Sequence, residues 1–310
     1  MKVAPSGRQF EIAAGRHQAT LVEVGGGLRE YRRDGRPVLD GYPVEEISGG
    51  ARGTPLLPWP NRLEDGAYTF AGASYQLPLT EPAKHNAIHG LLRWSNWSPC
   101  ERERDMVALS VLLHPQPGYP FPLDISIRYQ LAETPTQTRK SGLTVTTTVT
   151  NLGEVPCPFA SGQHPYLAVG ADLVDEATLW LDATSWLPTD TRGLPTGTEP
   201  VDNSPLDFRR AKPIGRTRID HAFTGLNRDA DGLAWVVLTE PGGRSSRLWA
   251  DHTYRYIQLY TGDTLPERQR RRSLAVEPMT SAPNAFRTGE GLVVLQPGEP
   301  FTSEWGIQPD

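Results

Sequence analysis

Asp124-Ile125-Ser126-Ile127-Arg128-Tyr129-Gln130-Leu131 alternates polar and apolar residues without a break. A period of two belongs to a strand with one buried face and one wet face. The same reading extends outward in both directions. Residues 106–113 form a candidate strand before it, and residues 143–150 follow with a β-branched run that favours extended backbone. Toward the N-terminus, residues 19–24 end at the turn Gly25-Gly26-Gly27, and residues 28–32 end at Asp34-Gly35. Residues 67–70 and 74–77 flank Ala71-Gly72 as a hairpin. Toward the C-terminus, strands are expected at 177–181, 234–239, 256–260, 292–295 and 301–307. No long stretch carries a 3.6-residue apolar repeat. Residues 208–214 have room for a helical turn, limited by Pro213.

The 30 glycines and 29 prolines are spread through the chain, so they punctuate strands rather than mark one linker. The expectation is one all-β domain over residues 1–310, a large antiparallel β-sandwich with an outer face free for a ligand. Residues 188–205, the loopiest stretch, read as an insertion between strands.

Charge and composition exclude several functions. With 31 basic and 36 acidic residues the net charge is −5, a poor match to nucleic acid. No apolar run reaches the ~18 residues of a membrane span. Met1 to Ala14 holds no continuous apolar segment, so no secretory signal is read there. Cys100 and Cys157 are too few for a disulfide framework or a cysteine-rich zinc site, and both read as small buried side chains. A reduced, cytoplasmic protein with no protein partner is expected.

His85-Asn86-Ala87-Ile88-His89 has the i, i+4 spacing of a zinc-protease helix, but Asn86 stands where the Glu base would be. Gly90 and Pro82 also oppose a helix. His89 and His164 lie in loop-like sequence beside strands, where an imidazole suits proton transfer near neutrality. His17, His114, His221 and His252 read as surface or hydrogen-bonded histidines. Glu277 sits in the apolar stretch Leu274-Ala275-Val276-Glu277-Pro278-Met279, where desolvation raises a carboxylate's proton affinity and fits it to act as a base. Its bland alternative is a salt-bridged strand end. Asp220 and His221 adjoin, but neighbours on a strand point to opposite faces, so they form no relay. No Gly-x-Ser-x-Gly elbow is present, and Gly25-Gly26-Gly27 lacks the Lys-Ser/Thr of a phosphate loop. Trp59, Trp94, Trp97, Tyr166 and Tyr260 offer faces that stack on sugar C–H surfaces, although most such residues are core.

Taken in order, several motifs resemble the aldose 1-epimerase (galactose mutarotase) family. They are Pro58-Trp59-Pro60-Asn61-Arg62-Leu63, Asn86-Ala87-Ile88-His89-Gly90, Gly118-Tyr119-Pro120, His164-Pro165-Tyr166-Leu167, Ile219-Asp220-His221-Ala222-Phe223, and Val276-Glu277-Pro278 followed by Pro283-Asn284-Ala285-Phe286. They cover roughly residues 18–308. The family fold is a large antiparallel β-sandwich. The resemblance implies Glu277 as the base at the anomeric hydroxyl and His164 as the acid at the ring oxygen. It implies His89 as a polarising hydrogen-bond partner, and Arg62, Asn61 and Asp220 as ligands of sugar hydroxyls, with Tyr166 and Tyr260 in the sugar site. No cofactor or metal is required. Pro165-Tyr166-Leu167-Ala168 departs from the usual sequence after the histidine. Arg52-Gly53-Thr54-Pro55 and His89-Gly90-Leu91-Leu92-Arg93 also resemble the related hexose-6-phosphate 1-epimerases, where Arg52 and Arg93 would serve the phosphate. A non-catalytic carbohydrate-binding module and a two-carboxylate glycosidase are the other readings.

Overall fold

The computed structural model describes residues 3–136 and 140–310. Three antiparallel sheets carry the architecture. The first is a meander of Gln9–Ala14, His17–Val22, Leu28–Arg33 and Arg36–Pro37. The second has nine strands, with Leu123–Ala132 and Gly142–Asn151 next to each other and Pro300–Pro309 beside the latter. The third has eight, among them Asp220–Leu226, Tyr256–Tyr260 and Ser273–Met279 side by side. The residues that read as alternating do so in burial up to Tyr129: Ile125, Ile127, Tyr129 and Leu131 are fully buried while Asp124 faces out, and Gln130 departs from the pattern, buried with its amide donating to Asp105 Oδ2.

One apolar cluster joins the three sheets. It takes Leu21 and Tyr31 from the meander, Ile127 and Val145 from the second sheet, and Leu259 and Val276 from the third. Among the described residues the α-helical part is Ala285–Thr288 alone. No helix among them is long and apolar enough to cross a membrane.

Two expectations need correction. Residues 208–214 hold no helical turn. Phe208 and Ile214 are both buried in the core, and Lys212–Pro213 pairs with Thr178–Leu181 at the sheet edge, where proline's missing N–H costs nothing. Cys157 is buried as expected, but Cys100 is exposed on the edge strand Ser98–Arg102. Residues 188–205 lie between Ala183–Leu187 and Asp220–Leu226, as an insertion should.

Candidate active site

Strand register builds one wall of the site. Gln258 pairs with Ala222 on one side and Glu277 on the other, and Tyr260 pairs with Asp220 and Ala275. Partners across an antiparallel ladder share a face, as do residues two apart. Asp220, Gln258, Tyr260 and Glu277 therefore project from the same face of the third sheet. Tyr166, opposite Ala275, joins them. The alternate residues Phe223, Ile257, Leu259 and Val276 enter the core.

A short ribbon supplies the second wall. Arg62–Glu64 pairs with Asn86–Ile88, which brings Asn61-Arg62 beside His89. Asn61 and His89 both have left-handed backbones, φ 56° and 62°. The Asn61 backbone N–H donates to His89 Nδ1 at 3.2 Å, and the His89 N–H donates to the Asn61 carbonyl at 3.0 Å. The Asn61 side-chain oxygen accepts from the Arg62 N–H at 2.8 Å.

His164 closes the arrangement from the segment between Gly162–Gln163 and Tyr166–Ala168. Its ring stacks on Tyr166 at 5.0 Å and meets the edge of the His89 ring at 5.3 Å. His164 Nε2 lies 3.3 Å from Glu277 Oε1. Both residues are buried, at 4% and 2% exposure. Glu277 Oε2 and His164 Nδ1 have no hydrogen-bond partner among the described residues.

All eight site residues named from the sequence line one cavity of about 340 Å³: Asn61, Arg62, His89, His164, Tyr166, Asp220, Tyr260 and Glu277. A larger depression of about 760 Å³ lies over the meander, but its lining, which includes Glu11, Glu30, Arg32 and Arg104, holds no histidine. Gln258 was not anticipated. It is buried in the site wall and donates to Asp220 Oδ1 at 2.8 Å. A polar residue inside Tyr256-Ile257-Gln258-Leu259-Tyr260 is the same signal that marked Glu277. The aromatics divide. Trp59 and Trp97 are core, whereas Trp94 is 54% exposed at the cavity rim.

Burial, and after it the Asp220 charge, pushes the Glu277 carboxyl well above its ordinary value, while Arg62 pulls it down. Burial, and after it the Arg93 charge, lowers His164 to about 3. Burial lowers His89 well below its ordinary value, assisted by the neighbouring His164 and Arg93 charges. Burial thus disfavours the charged form of all three groups.

The two arginines considered for a phosphate differ. Arg52 is buried and bonds Asp40 Oδ2 at 3.1 Å, the Gly49 carbonyl and Gln269. It lies over the Tyr166 ring at 4.4 Å and supports that wall from behind. It does not line the cavity. Arg93 does, and its guanidinium makes no ion pair or hydrogen bond among the described residues; it lies over Trp94 at 5.4 Å.

An antiparallel β-sandwich with a buried carboxylate–imidazole pair ringed by polar side chains is the architecture of a galactose mutarotase-like protein. The chain belongs to the aldose 1-epimerase family, whose model matches residues 8–308. It is 37% identical over 296 residues to the uncharacterized protein YihR of Escherichia coli K12, covering 95% of this chain and 91% of that one. An aldose 1-epimerase of Haemophilus influenzae is 28% identical over 251 residues, covering 73% of this chain and 67% of that one. In fold, the chain is similar to the GalM/aldose epimerase homologue of C. elegans, with a TM-score of 0.86 at 20% identity and 98% coverage of both chains. Family membership supports a mutarotase-type sugar epimerase acting on a small sugar.

Proposed function

We propose that the protein interconverts the α and β anomers of a free aldose such as glucose or galactose. The observation that carries this is the buried Glu277–His164 contact at 3.3 Å inside a cavity that also holds Arg62, Asp220 and Gln258. A ring-opening reaction needs one base and one acid with a single proton between them. Sugar hydroxyls that donate to Glu277 favour its ionised form and leave the proton on His164. Glu277 then removes the proton of the anomeric hydroxyl while His164 protonates the ring oxygen. The bond between C1 and that oxygen breaks, giving the open-chain aldehyde. Rotation about C1–C2 presents the other carbonyl face. On closure the attacking hydroxyl returns its proton to His164, and Glu277 returns its proton to the carbonyl oxygen. Arg62, Asp220 and Asn61 hold sugar hydroxyls, His89 hydrogen-bonds near C1 and the ring oxygen, and Tyr166 and Tyr260 flank the ring. The reading needs no cofactor, metal or protein partner, and a cytoplasmic setting suits it.

Arg93 favours a second reading, a hexose 6-phosphate as substrate, because a guanidinium on the cavity wall with no ion pair or hydrogen bond among the described residues is a ready anion ligand. Arg52, the other arginine of that reading, is paired with Asp40 and lies outside the cavity lining, so it supports the reading less. Polarimetry on freshly dissolved α-D-glucose, α-D-galactose and glucose 6-phosphate separates the readings. Faster approach to an unchanged final rotation, reduced ~10²- to 10⁴-fold in Glu277→Gln, is expected for the neutral sugars. Acceleration confined to the phosphate ester moves the assignment to the second reading. Sugar binding without acceleration of any substrate leaves a carbohydrate-binding protein.

A further inference from the structure

Arg62 is gripped from two sides. On one, Glu81 takes its Nε and Nη2 in a fork, at 2.9 and 3.2 Å. This is the planar match between guanidinium and carboxylate. Glu81 is itself fixed: fully buried Asn86 donates its side-chain amide to Glu81 Oε2 at 3.1 Å and to the Arg192 carbonyl at 3.0 Å. On the other side, Gly193 lies flat against the guanidinium. A Cβ there would come within 2.7 Å of Arg62 Nη1. The preceding Arg192 anchors this turn by donating to the Lys84 and His85 carbonyls and to Asp65 Oδ1. What remains open is Nη1, which faces Asp220 Oδ2 at 3.8 Å. Neither Glu81, Asn86 nor Gly193 lines the cavity.

We propose that Glu81 is a positioning residue for the site: it clamps Arg62 so that the Nη1 edge is presented to substrate, and it offsets the guanidinium charge next to Glu277. The catalytic meaning of this rests on the anomer-exchange reading; the geometry does not.

The charge effect has a definite sign. Glu277 is faced by His164, Asp220, Arg62 and the Tyr166 hydroxyl. Glu81 is faced by Arg62, Lys84 and Asn86. Burial opposes the Glu81 charge, yet Arg62, Asn86 and Lys84 outweigh it and hold its carboxyl below the ordinary value. Glu81 is therefore ionised near neutrality, and Arg62 is shared among Glu81, Asp220 and Glu277. Removing the Glu81 charge strengthens the pull of Arg62 on Glu277, so the Glu277 carboxylate protonates at lower pH.

Carboxyl ¹³C NMR titration tests this, with the Glu277 resonance assigned by its loss in Glu277→Gln. In Glu81→Gln the Glu277 midpoint falls by ~0.5 pH unit or more. The Kd for sugar, measured by calorimetry, rises about 3- to 10-fold, the worth of one hydrogen bond. Glu81→Asp keeps the charge but cannot span the fork, so its midpoint stays near wild type while Kd rises. An unchanged or raised midpoint in Glu81→Gln overturns the proposal, as does an unchanged Kd in folded Glu81→Asp. The titration needs no turnover. A wild-type protein inactive on every sugar would sink the anomer-exchange reading and leave the clamp to be judged on the midpoint.

Discussion

In the proposed mechanism Glu277 and His164, 3.3 Å apart, act as one titrating unit. Taken independently at ordinary values, a carboxylate base and an imidazole acid would be jointly competent only between about 4.5 and 6.5. In the fold the shifts run in opposite directions: burial and Asp220 raise Glu277, and burial and Arg93 lower His164 to about 3. The competent state of the pair carries one proton. It gains a second only near the lowered imidazole value and loses its last only near the raised carboxyl value. The acid limb of kcat/KM therefore moves down, not up. Between pH 6 and 4, kcat/KM for anomer exchange is expected to hold within about twofold, where an ordinary carboxylate would lose about fourfold. Initial-rate polarimetry in that interval decides it, and an acid limb near 4.5 would show that the two groups titrate separately. At this scale the sequence was informative because buried polar residues in apolar strands stand out. It placed Glu277 in the site, and the same signal pointed to Gln258. Glu81 gave no such signal, since its role depends on meeting Arg62 across a fold contact.

Elements locate the side chains, and the connections between them fix the geometry. His89 sits one residue beyond the strand Asn86–Ile88, and Gly90 follows it at φ 70°. A Cβ at Gly90 would overlap the Leu57 carbonyl, which accepts a bond from the Leu91 N–H at 2.8 Å. Gly90→Ala is expected to cost at least about 2 kcal/mol, from left-handed strain plus the forced separation of the two segments. Urea unfolding measures this. Turnover should fall ~10-fold or more beyond the stability loss, because His89 moves with the turn. A variant with wild-type midpoint and rate would mean that the ribbon tolerates the shift. Many of the longer strands were legible in the sequence, including Leu123–Ala132 and Ala234–Thr239. Gln9–Ala14, Ser98–Arg102, Ala183–Leu187 and Ser245–Ala250 were not. The first two are edge strands with polar residues on their open sides, and the last begins Ser245-Ser246-Arg247, which masks its apolar end.

At the scale of the molecule, pairing order was beyond local reading. Pro300–Pro309 lies between Gly142–Asn151 and Ser245–Ala250, segments far from one another in the chain. Their adjacency is set by which apolar faces can be buried together, and no window of sequence contains that information. The outcome is a core shared by all three sheets and a site assembled from residues 61 to 277. Loss of one sheet would expose the apolar faces of the others. Far-ultraviolet dichroism, tryptophan fluorescence and anomer-exchange activity are therefore expected to fall together in one urea transition. Activity lost well before the dichroism would reveal that the third sheet opens on its own.

The left-handed turn at Asn61 settles a further matter for His89. A backbone N–H can only donate, so Nδ1 of His89 must accept and cannot carry a hydrogen. In the neutral ring the hydrogen is then confined to Nε2, the tautomer with its donor on the nitrogen away from the ribbon. Since burial lowers the ring's proton affinity, His89 is suited to give a hydrogen bond without surrendering a proton, which in the proposed mechanism leaves the exchange of protons to Glu277 and His164.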